Sequence, residues 1–149
     1  MHTVSALIST SVTDARISLA GMVESNPQHA GQLSLQLLER MKGWPGQSGR
    51  RMVALRTLRV AAKRIAEDCT PDSQGSSLSD IYYTLPIGDL RKVLAQPADP
   101  YARAGKVLTT LLQIRGEEGQ ATRRKILVAA IGKAAKTIQQ ADATPGDAE

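Results

Sequence analysis

Apolar residues recur at spacings of three and four along most of the chain, which is the pattern of helices with one buried face. In the segment 50–67 the predicted inward face consists of five apolar side chains: Met52, Leu55, Leu58, Ala62 and Ile65. In the segment 120–141 it consists of Leu127, Ile131, Ala134 and Ile138. A strand is an alternative only around Tyr82 and Tyr83, where neighbouring aromatic residues favour extended structure.

Cap and turn residues divide this pattern into six predicted helices. Ser11, Asn26-Pro27 and Asp99-Pro100 have the composition of helix starts, because Ser, Asn and Asp cap free backbone N–H groups and proline fits the first turn. The helices run from 12 to 24, from 27 to the glycine at 43, from 50 to 67, from 87 to the proline at 97, from 100 to the glycine at 116 and from 120 to 141.

The third and sixth predicted helices resemble each other. At an offset of 73, Arg50–Ile65 matches Arg123–Ile138, including the Arg-Arg start and a later Ala-Ala-Lys-x-Ile. Two further matches precede it at offsets of 74 and 75: Ala30–Leu38 with Ala104–Leu112, and Asp14–Ala20 with Asp89–Ala95. The sequence therefore predicts an all-α protein of two tandem three-helix repeats, packed as a pseudo-symmetric helical bundle.

The predicted domain organisation follows from this repeat. Residues 1–68 form the N-terminal repeat, with 1–10 as a frayed lead-in, and residues 79–141 form the C-terminal repeat. A polar, turn-forming linker at 69–78 joins them, and residues 142–149 are predicted to be a disordered acidic tail. Because a unit of about 60 residues is marginally stable alone, we expect the two repeats to pack against each other.

Lysine and arginine exceed aspartate and glutamate by 19 to 14, and both predicted repeats carry the excess. Such charge is often only a solvated helix face, but it also suits an anionic partner. The Arg-Arg pairs stand at predicted helix starts, where side chains and backbone N–H groups can both meet phosphate. The candidate anion-binding residues are Arg50, Arg51, Arg56, Arg59, Lys63, Arg123, Arg124, Lys125, Lys133 and Lys136.

Catalytic signals are poor. His2, His29 and Cys69 are the only histidines and cysteine, and they form no metal-ligand spacing. The glycines between residues 43 and 49 fit neither a phosphate-binding loop nor a nucleophile motif. The sequence therefore predicts a protein that is not an enzyme and has no cofactor or metal.

The function predicted is that of a helical binding or adaptor protein that engages another protein through basic amphipathic helices. One alternative is a nucleic-acid-binding regulator that contacts phosphates through the Arg-Arg helix starts, although aromatic platforms for bases are nearly absent. A second is a secreted bacterial-type effector, or a secretion-associated protein, with an uncleaved N-terminal signal. The sequence does not decide the oligomeric state.

The apolar runs bear on the compartment. The longest, Ile126–Ile131, is far shorter than the ~20 residues of a membrane-spanning helix, so no integral membrane association is predicted. A single cysteine needs no oxidising environment, and the cytoplasm is the expected compartment. Export without a cleaved signal is the alternative, because residues 1–28 carry few charges and many Ser and Thr.

Overall fold

The structure, a computed structural model, describes residues 3–68 and 81–141. Throughout those two ranges the chain is all-helical, which confirms the predicted all-α class, and they hold eight helices and no strand. The helices are α1 (Val4–Ser9), α2 (Val12–Ser25), α3 (Pro27–Arg40), α4 (Ser48–Glu67), α5 (Ile81–Thr84), α6 (Ile87–Ala95), α7 (Pro100–Ile114) and α8 (Ala121–Ala141). The predicted linker at 69–78, which includes Cys69, and the predicted tail at 142–149 lie outside the described residues.

Side-chain caps begin the helices where the sequence predicts them. At the start of α2 the Ser11 hydroxyl accepts the backbone N–H of Asp14 at 3.0 Å. At the start of α3 the Asn26 side chain accepts the backbone N–H of His29 at 3.1 Å, and Asp99 caps α7 in the same way. Each cap satisfies a donor that the first helical turn leaves free.

Helix α1 was not predicted from the sequence pattern. The pattern indicates a frayed lead-in over residues 1–10, whereas residues 4–9 are helical, with Thr3 as the N-terminal cap. Leu7 is 2% exposed, and α1 packs against α3. Because so short a helix places only one fully buried residue in the core, it leaves no apolar periodicity in the sequence to detect.

The core is formed mainly where the longest helices meet. Helices α2, α3 and α4 pack on one another, α7 packs on α8, and α4 also contacts both α7 and α8. Eight of the inward residues predicted for α4 and α8 are buried: Leu55, Leu58, Ala62, Ile65, Leu127, Ile131, Ala134 and Ile138. Helix α4 therefore occupies a central position, with neighbours from both halves of the chain.

Met52 is an exception to the predicted core. It is 50% exposed, and its sulfur lies 3.2 Å from the side-chain nitrogen of Gln139, near the far end of α8. The first turn of the buried face of α4 is instead occupied by Arg51, four residues before Leu55 and so on the same side of the helix. The contact with Gln139 places the start of α4 beside the end of α8.

Helices α3 and α7 approach each other closely at two glycines. A Cβ atom added to Gly31 would lie 3.2 Å from the Ala61 Cβ and 3.2 Å from a methyl group of Leu108. A Cβ atom added to Gly105 would lie 3.4 Å from a methyl group of Leu35. The leucine of each helix thus packs against the glycine of the other.

The N-terminal helices belong to the fold. Leu7 of α1 is buried, and so are Ala15, Leu19, Met22 and Val23 of α2. Deleting residues 1–25 would therefore remove core side chains along with any export information. The export alternative stays a prediction, and a test of it requires point substitutions at exposed positions of this region rather than truncation.

Candidate functional site

Two loops of similar backbone conformation connect α3 to α4 and α7 to α8. In the first, Gly43 and Gly46 have φ values of 78° and 74°; in the second, Gly116 and Gly119 have φ values of 71° and 78°. These are left-handed conformations that favour glycine because it has no Cβ. The glycines match at an offset of 73, which is also the offset of the arginines that follow them.

Arg51 joins the beginning of α4 to the end of α3. Its guanidinium group donates to the backbone carbonyl of Met41 at 3.1 Å and to that of Trp44. The residue is only 4% exposed. Because the last carbonyl groups of a helix have no partner within the helix, a buried guanidinium that binds them closes the turn between the two helices.

Arg124 makes the same connection in the second half. Its Nη1 donates to the carbonyl groups of Ile114 at 3.1 Å and Glu117 at 2.8 Å, at the end of α7 and in the following loop. Arg124 is half-buried, in contrast to the fully buried Arg51. The two acceptors match those of Arg51 at the same offset of 73.

The preceding arginines hold the short helices in place. The Arg50 guanidinium donates to the carbonyl of Leu7 in α1, and its Nε donates to the Gln47 side chain at 3.2 Å. In the second half, Arg123 donates from Nη1 to the carbonyl of Tyr82 in α5 at 2.9 Å. Its Nε donates at 3.0 Å to the side chain of Gln120, which corresponds to Gln47.

These contacts give the Arg-Arg pairs a structural role that the sequence did not reveal. Arg50, Arg51 and Arg123 are 9%, 4% and 8% exposed, and their guanidinium groups bind backbone carbonyls rather than facing solvent. A phosphate could reach them only by displacing these hydrogen bonds. We therefore do not expect these three residues to present their charge to an anionic partner.

Apart from half-buried Arg124, the other candidate cations are exposed. They lie on two helices that contact each other, and we call them the basic helix pair: Arg56, Arg59 and Lys63 on α4, and Lys125, Lys133 and Lys136 on α8. Helix α8 contains no acidic residue, and α4 contains only Glu67 near its end. Arg64, also on α4, forms an ion pair of 2.8 Å with Glu24 of α2. The structure thus brings six of the ten candidate residues onto the exposed faces of adjacent helices.

An open groove lies between the end of α6, the start of α7 and one side of α8, and we call it the α6–α8 groove. Its volume is about 490 Å³. Its apolar lining includes Leu94, Pro97, Ile126, Ala129, Ala130 and Ala134. Arg91, Arg103 and Lys133 also line it, and none of the Asp or Glu residues that the structure describes does. Of these three cations, only Lys133 is among the candidates chosen from the sequence.

The end of α6 explains why the groove is open. The helix stops at Ala95, and residues 96–99 continue as non-helical chain through Pro97. Arg103 of α7 donates to three carbonyl groups at that end, those of Val93, Leu94 and Gln96, at 3.1, 3.0 and 2.6 Å. A proline two residues after the helix was the signal in the sequence for this interruption.

A polar contact beside the second loop distinguishes the two halves. The Tyr83 hydroxyl donates to a carboxylate oxygen of Glu117 at 2.6 Å. This hydrogen bond, partial burial and the negative charge of Glu117 all raise the pKa of Tyr83 above its ordinary value. At sequence offsets of 75 and 73, the first half holds Ile8 and Trp44, which cannot form such a pair.

Residues 3–68 and 81–141 contain no cluster of three or more His, Cys, Asp or Glu side chains placed to hold a metal ion. In the same two ranges, no helix combines the length and the apolar character needed to cross a membrane. No protein-family model, curated protein or solved structure matches this chain. Function therefore has to be argued from the surfaces described above.

Proposed function

We propose that this chain is a non-enzymatic binding protein that engages an acidic region of another protein through α4 and α8. One observation carries the proposal: Lys133, an exposed cation of the basic helix pair, lines an apolar groove on α8 together with Arg91 and Arg103. A cationic surface with an apolar groove suits an amphipathic protein segment, which presents acidic and apolar groups together.

We also propose that the two halves are copies of one unit of a short helix followed by three longer ones. The support is the correspondence of α1–α4 with α5–α8, the two matching glycine loops and the four arginines with equivalent acceptors. The contact between the start of α4 and the end of α8, Met52 with Gln139, fits halves related by an approximate two-fold axis.

The proposed register differs at one place from the match found in the sequence. The shared Ala-Gly aligns α3 with α7 at an offset of 74. The two helix caps, Asn26 and Asp99, match at an offset of 73 instead. The carbonyl acceptors of the two arginines, Met41 and Ile114, also match at 73. We adopt the smaller offset, because caps and buried acceptors fix the position of a helix more directly than one shared Ala-Gly does. The offset is then the same from α3 to the end of α4.

A pair of charge-reversal variants tests the binding function. One variant reverses three cations of α4: Arg56→Glu, Arg59→Glu and Lys63→Glu. The matched control reverses three exposed cations on other helices: Arg16→Glu, Arg40→Glu and Lys92→Glu. The two variants have the same net charge as each other, so a difference in their binding depends on where the charges lie.

The measurement is affinity capture from a lysate of the source organism, followed by titration calorimetry of each captured protein after purification. We expect at least one purified protein to bind the wild type and the control alike and to bind the α4 variant about tenfold or more weakly. Equal binding of all purified partners to both variants would exclude the basic helix pair as the interface.

A nucleic-acid-binding regulator is the second candidate, favoured by the near absence of acidic residues from α4 and α8. Fluorescence anisotropy with a labelled DNA duplex at several salt concentrations tests it. If phosphates are bound, the logarithm of the association constant falls linearly with the logarithm of the salt concentration, with a slope of about −0.9 for each phosphate contacted. The α4 variant, which loses three cations, should make this slope shallower by about 2 to 3. The Arg-Arg pairs are unsuitable for this test, because their substitution would disturb the fold.

A further inference from the structure

The α6–α8 groove has a counterpart in the first half, and that counterpart is filled. Helix α2 continues through Ser25, directly into the cap of α3, and packs against α4. Met22 and Val23, in its last turns, are 6% and 5% exposed, and Glu24 pairs with Arg64 of α4 at 2.8 Å. In the first half, then, a helical turn with two apolar residues and one acidic residue covers the long helix.

In the second half this cover is missing. Helix α6 corresponds to only the first part of α2, since α6 has 9 residues and α2 has 14. Pro97 lies where α6 would have to continue in order to cover α8. The carbonyl groups at the end of α6, which further helical turns would hydrogen-bond, are bound by Arg103 instead. Within residues 3–68 and 81–141, no helix therefore lies over the surface of α8 that lines the groove, which includes Ala129 and Ala130.

We infer that the α6–α8 groove is a docking site for an amphipathic helix of a partner protein, one that carries an acidic residue beside its apolar face. The inference rests on the proposed binding function and specifies where and what the chain binds. The occupant is inferred from the last turns of α2, because they fill the corresponding place on α4.

The size of the groove fits such an occupant. Its volume of about 490 Å³ lies within the ~300–1,000 Å³ of sites that enclose a compact ligand. The groove is open along α8, so a helix can lie in it while only the side chains of one face enter. The small residues Ala129, Ala130 and Ala134 let the backbone of that helix come close to α8.

The charges of the groove select an acidic helix. Arg91 and Lys133 are exposed at its edge, and neither side chain has a hydrogen bond or ion pair within the described ranges 3–68 and 81–141. Among the residues that the structure describes, no acidic side chain lines the groove to neutralise them. Nucleic acid could use these cations but not the apolar floor, since phosphates and sugars gain little from burying alanine and leucine side chains.

The probe for a direct test is a labelled synthetic peptide with the sequence of α2, residues 12–25. A lactam bridge between Thr13→Glu and Ile17→Lys keeps it helical, because isolated helices of this length are marginal in water. Both bridged positions are exposed in α2, so the face that carries Met22, Val23 and Glu24 is unchanged. A peptide with Glu24→Lys is the control for charge.

Binding is measured by fluorescence anisotropy against the full chain and three folded variants, with circular dichroism to check each fold. Ala129→Trp, at an exposed position, blocks the groove, and Lys133→Glu reverses its charge. Lys92→Glu reverses an exposed charge of α6 that does not line the groove. We expect Kd to rise about tenfold or more with Ala129→Trp and about fivefold with Lys133→Glu, and to change less than about twofold with Lys92→Glu.

Several results would overturn the inference. They are the absence of peptide binding, binding unchanged by Ala129→Trp, and binding unaffected by Glu24→Lys in the peptide. If the peptide does not bind, but a DNA duplex binds the wild type and binds Ala129→Trp more weakly, the groove is assigned to nucleic acid instead. If captured proteins still depend on Arg56, Arg59 and Lys63, the proposed function stands even when the groove inference fails.

Discussion

The two halves of this protein use the same arginine contacts but cover their long helices differently. In the first half, α2 runs directly into the cap of α3, and its residues Met22 and Val23 are buried in the core. In the second half, α6 ends four residues before the cap of α7 and leaves one side of α8 open. The difference indicates that the arginine contacts hold each helix pair together without the covering helix. Shortening that helix can then expose a surface without removing the framework beneath it.

The largest expected effect compares the two arginines that close the loops. Arg51→Ala should lower the free energy of unfolding by about 3 kcal/mol, because it removes two charge-assisted hydrogen bonds and leaves a buried void. Arg124→Ala should cost about half as much, since Arg124 is half-buried and water can replace it. Urea denaturation with unchanged m values measures both.

Arg51→Lys is the control for charge. An ammonium group is a point charge and cannot hold two carbonyl groups as the planar guanidinium does, so most of the stability loss should remain. If Arg51→Ala and Arg124→Ala lower the free energy of unfolding equally, the greater burial of Arg51 does not make its contact stronger than that of Arg124.

A second prediction compares Thr57 on covered α4 with Ala130, its counterpart at the offset of 73 on open α8. Thr57 is 7% exposed and donates to the Val53 carbonyl at 2.9 Å. Thr57→Leu should lower the free energy of unfolding by about 2 kcal/mol, because the packed core has no room for the larger side chain. Ala130 is also buried, at 8% exposure, but it lines the groove, so Ala130→Leu can extend into that space and should stay within about 0.5 kcal/mol of the wild type.

Thermal unfolding monitored by circular dichroism provides the measurement. A loss of about 2 kcal/mol in Ala130→Leu as well would show that the groove is not free to receive a side chain. It would therefore also weaken the docking inference.

The third comparison concerns the glycines between α3 and α7. Gly31→Ala gains about 1 kcal/mol of helix propensity but places a methyl group 3.2 Å from the Ala61 Cβ, so a net loss of about 1 kcal/mol is expected. Gly105→Ala meets only the flexible end of Leu35 at 3.4 Å, and it should stabilise the protein by about 0.5 kcal/mol. Opposite signs in parallel urea titrations support the close approach at Gly31, and a stabilised Gly31→Ala variant contradicts it.

The smallest effect is the pH dependence from Tyr83 and Glu117, a pair that the first half lacks. Folding raises the pKa of Tyr83 above the unfolded value of about 10. The contribution of the Tyr83–Glu117 hydrogen bond to the free energy of unfolding is therefore fully present below about pH 10, and it is lost as the pH rises through the pKa of Tyr83 in the folded state. The stability difference between wild type and Tyr83→Phe should therefore be constant to about pH 9 and shrink above pH 10. Glu117→Gln should lower the Tyr83 pKa, which ultraviolet titration of the phenol measures directly.

Much of the fold follows from local signals in the sequence. Periodicity places Leu55 and Leu58 in the core, and the caps at Ser11, Asn26 and Asp99 set helix starts, because these are interactions between near neighbours. The caps of α3 and α7, at an offset of 73, already indicated the register proposed for the two halves, although the shared Ala-Gly suggested 74.

The candidate site was less predictable, because it depends on contacts between distant residues. An Arg-Arg pair has the same sequence whether it faces solvent or binds the Leu7 and Met41 carbonyls, so burial decides its role. The groove arises from a missing turn of helix, which a pattern of apolar residues does not reveal. Pro97 marked the break in α6, but only the neighbouring α8 turns that break into a cavity.

The buried arginines have a further consequence for hydrogen exchange. Helix ends normally fray, and their amide protons exchange with solvent without unfolding of the rest of the chain. Arg51 ties the end of α3 and the following loop to the first turn of α4, so those segments cannot open separately. Amide protons at the end of α3 should exchange as slowly as those in the middle of α4, through an opening that includes both helices.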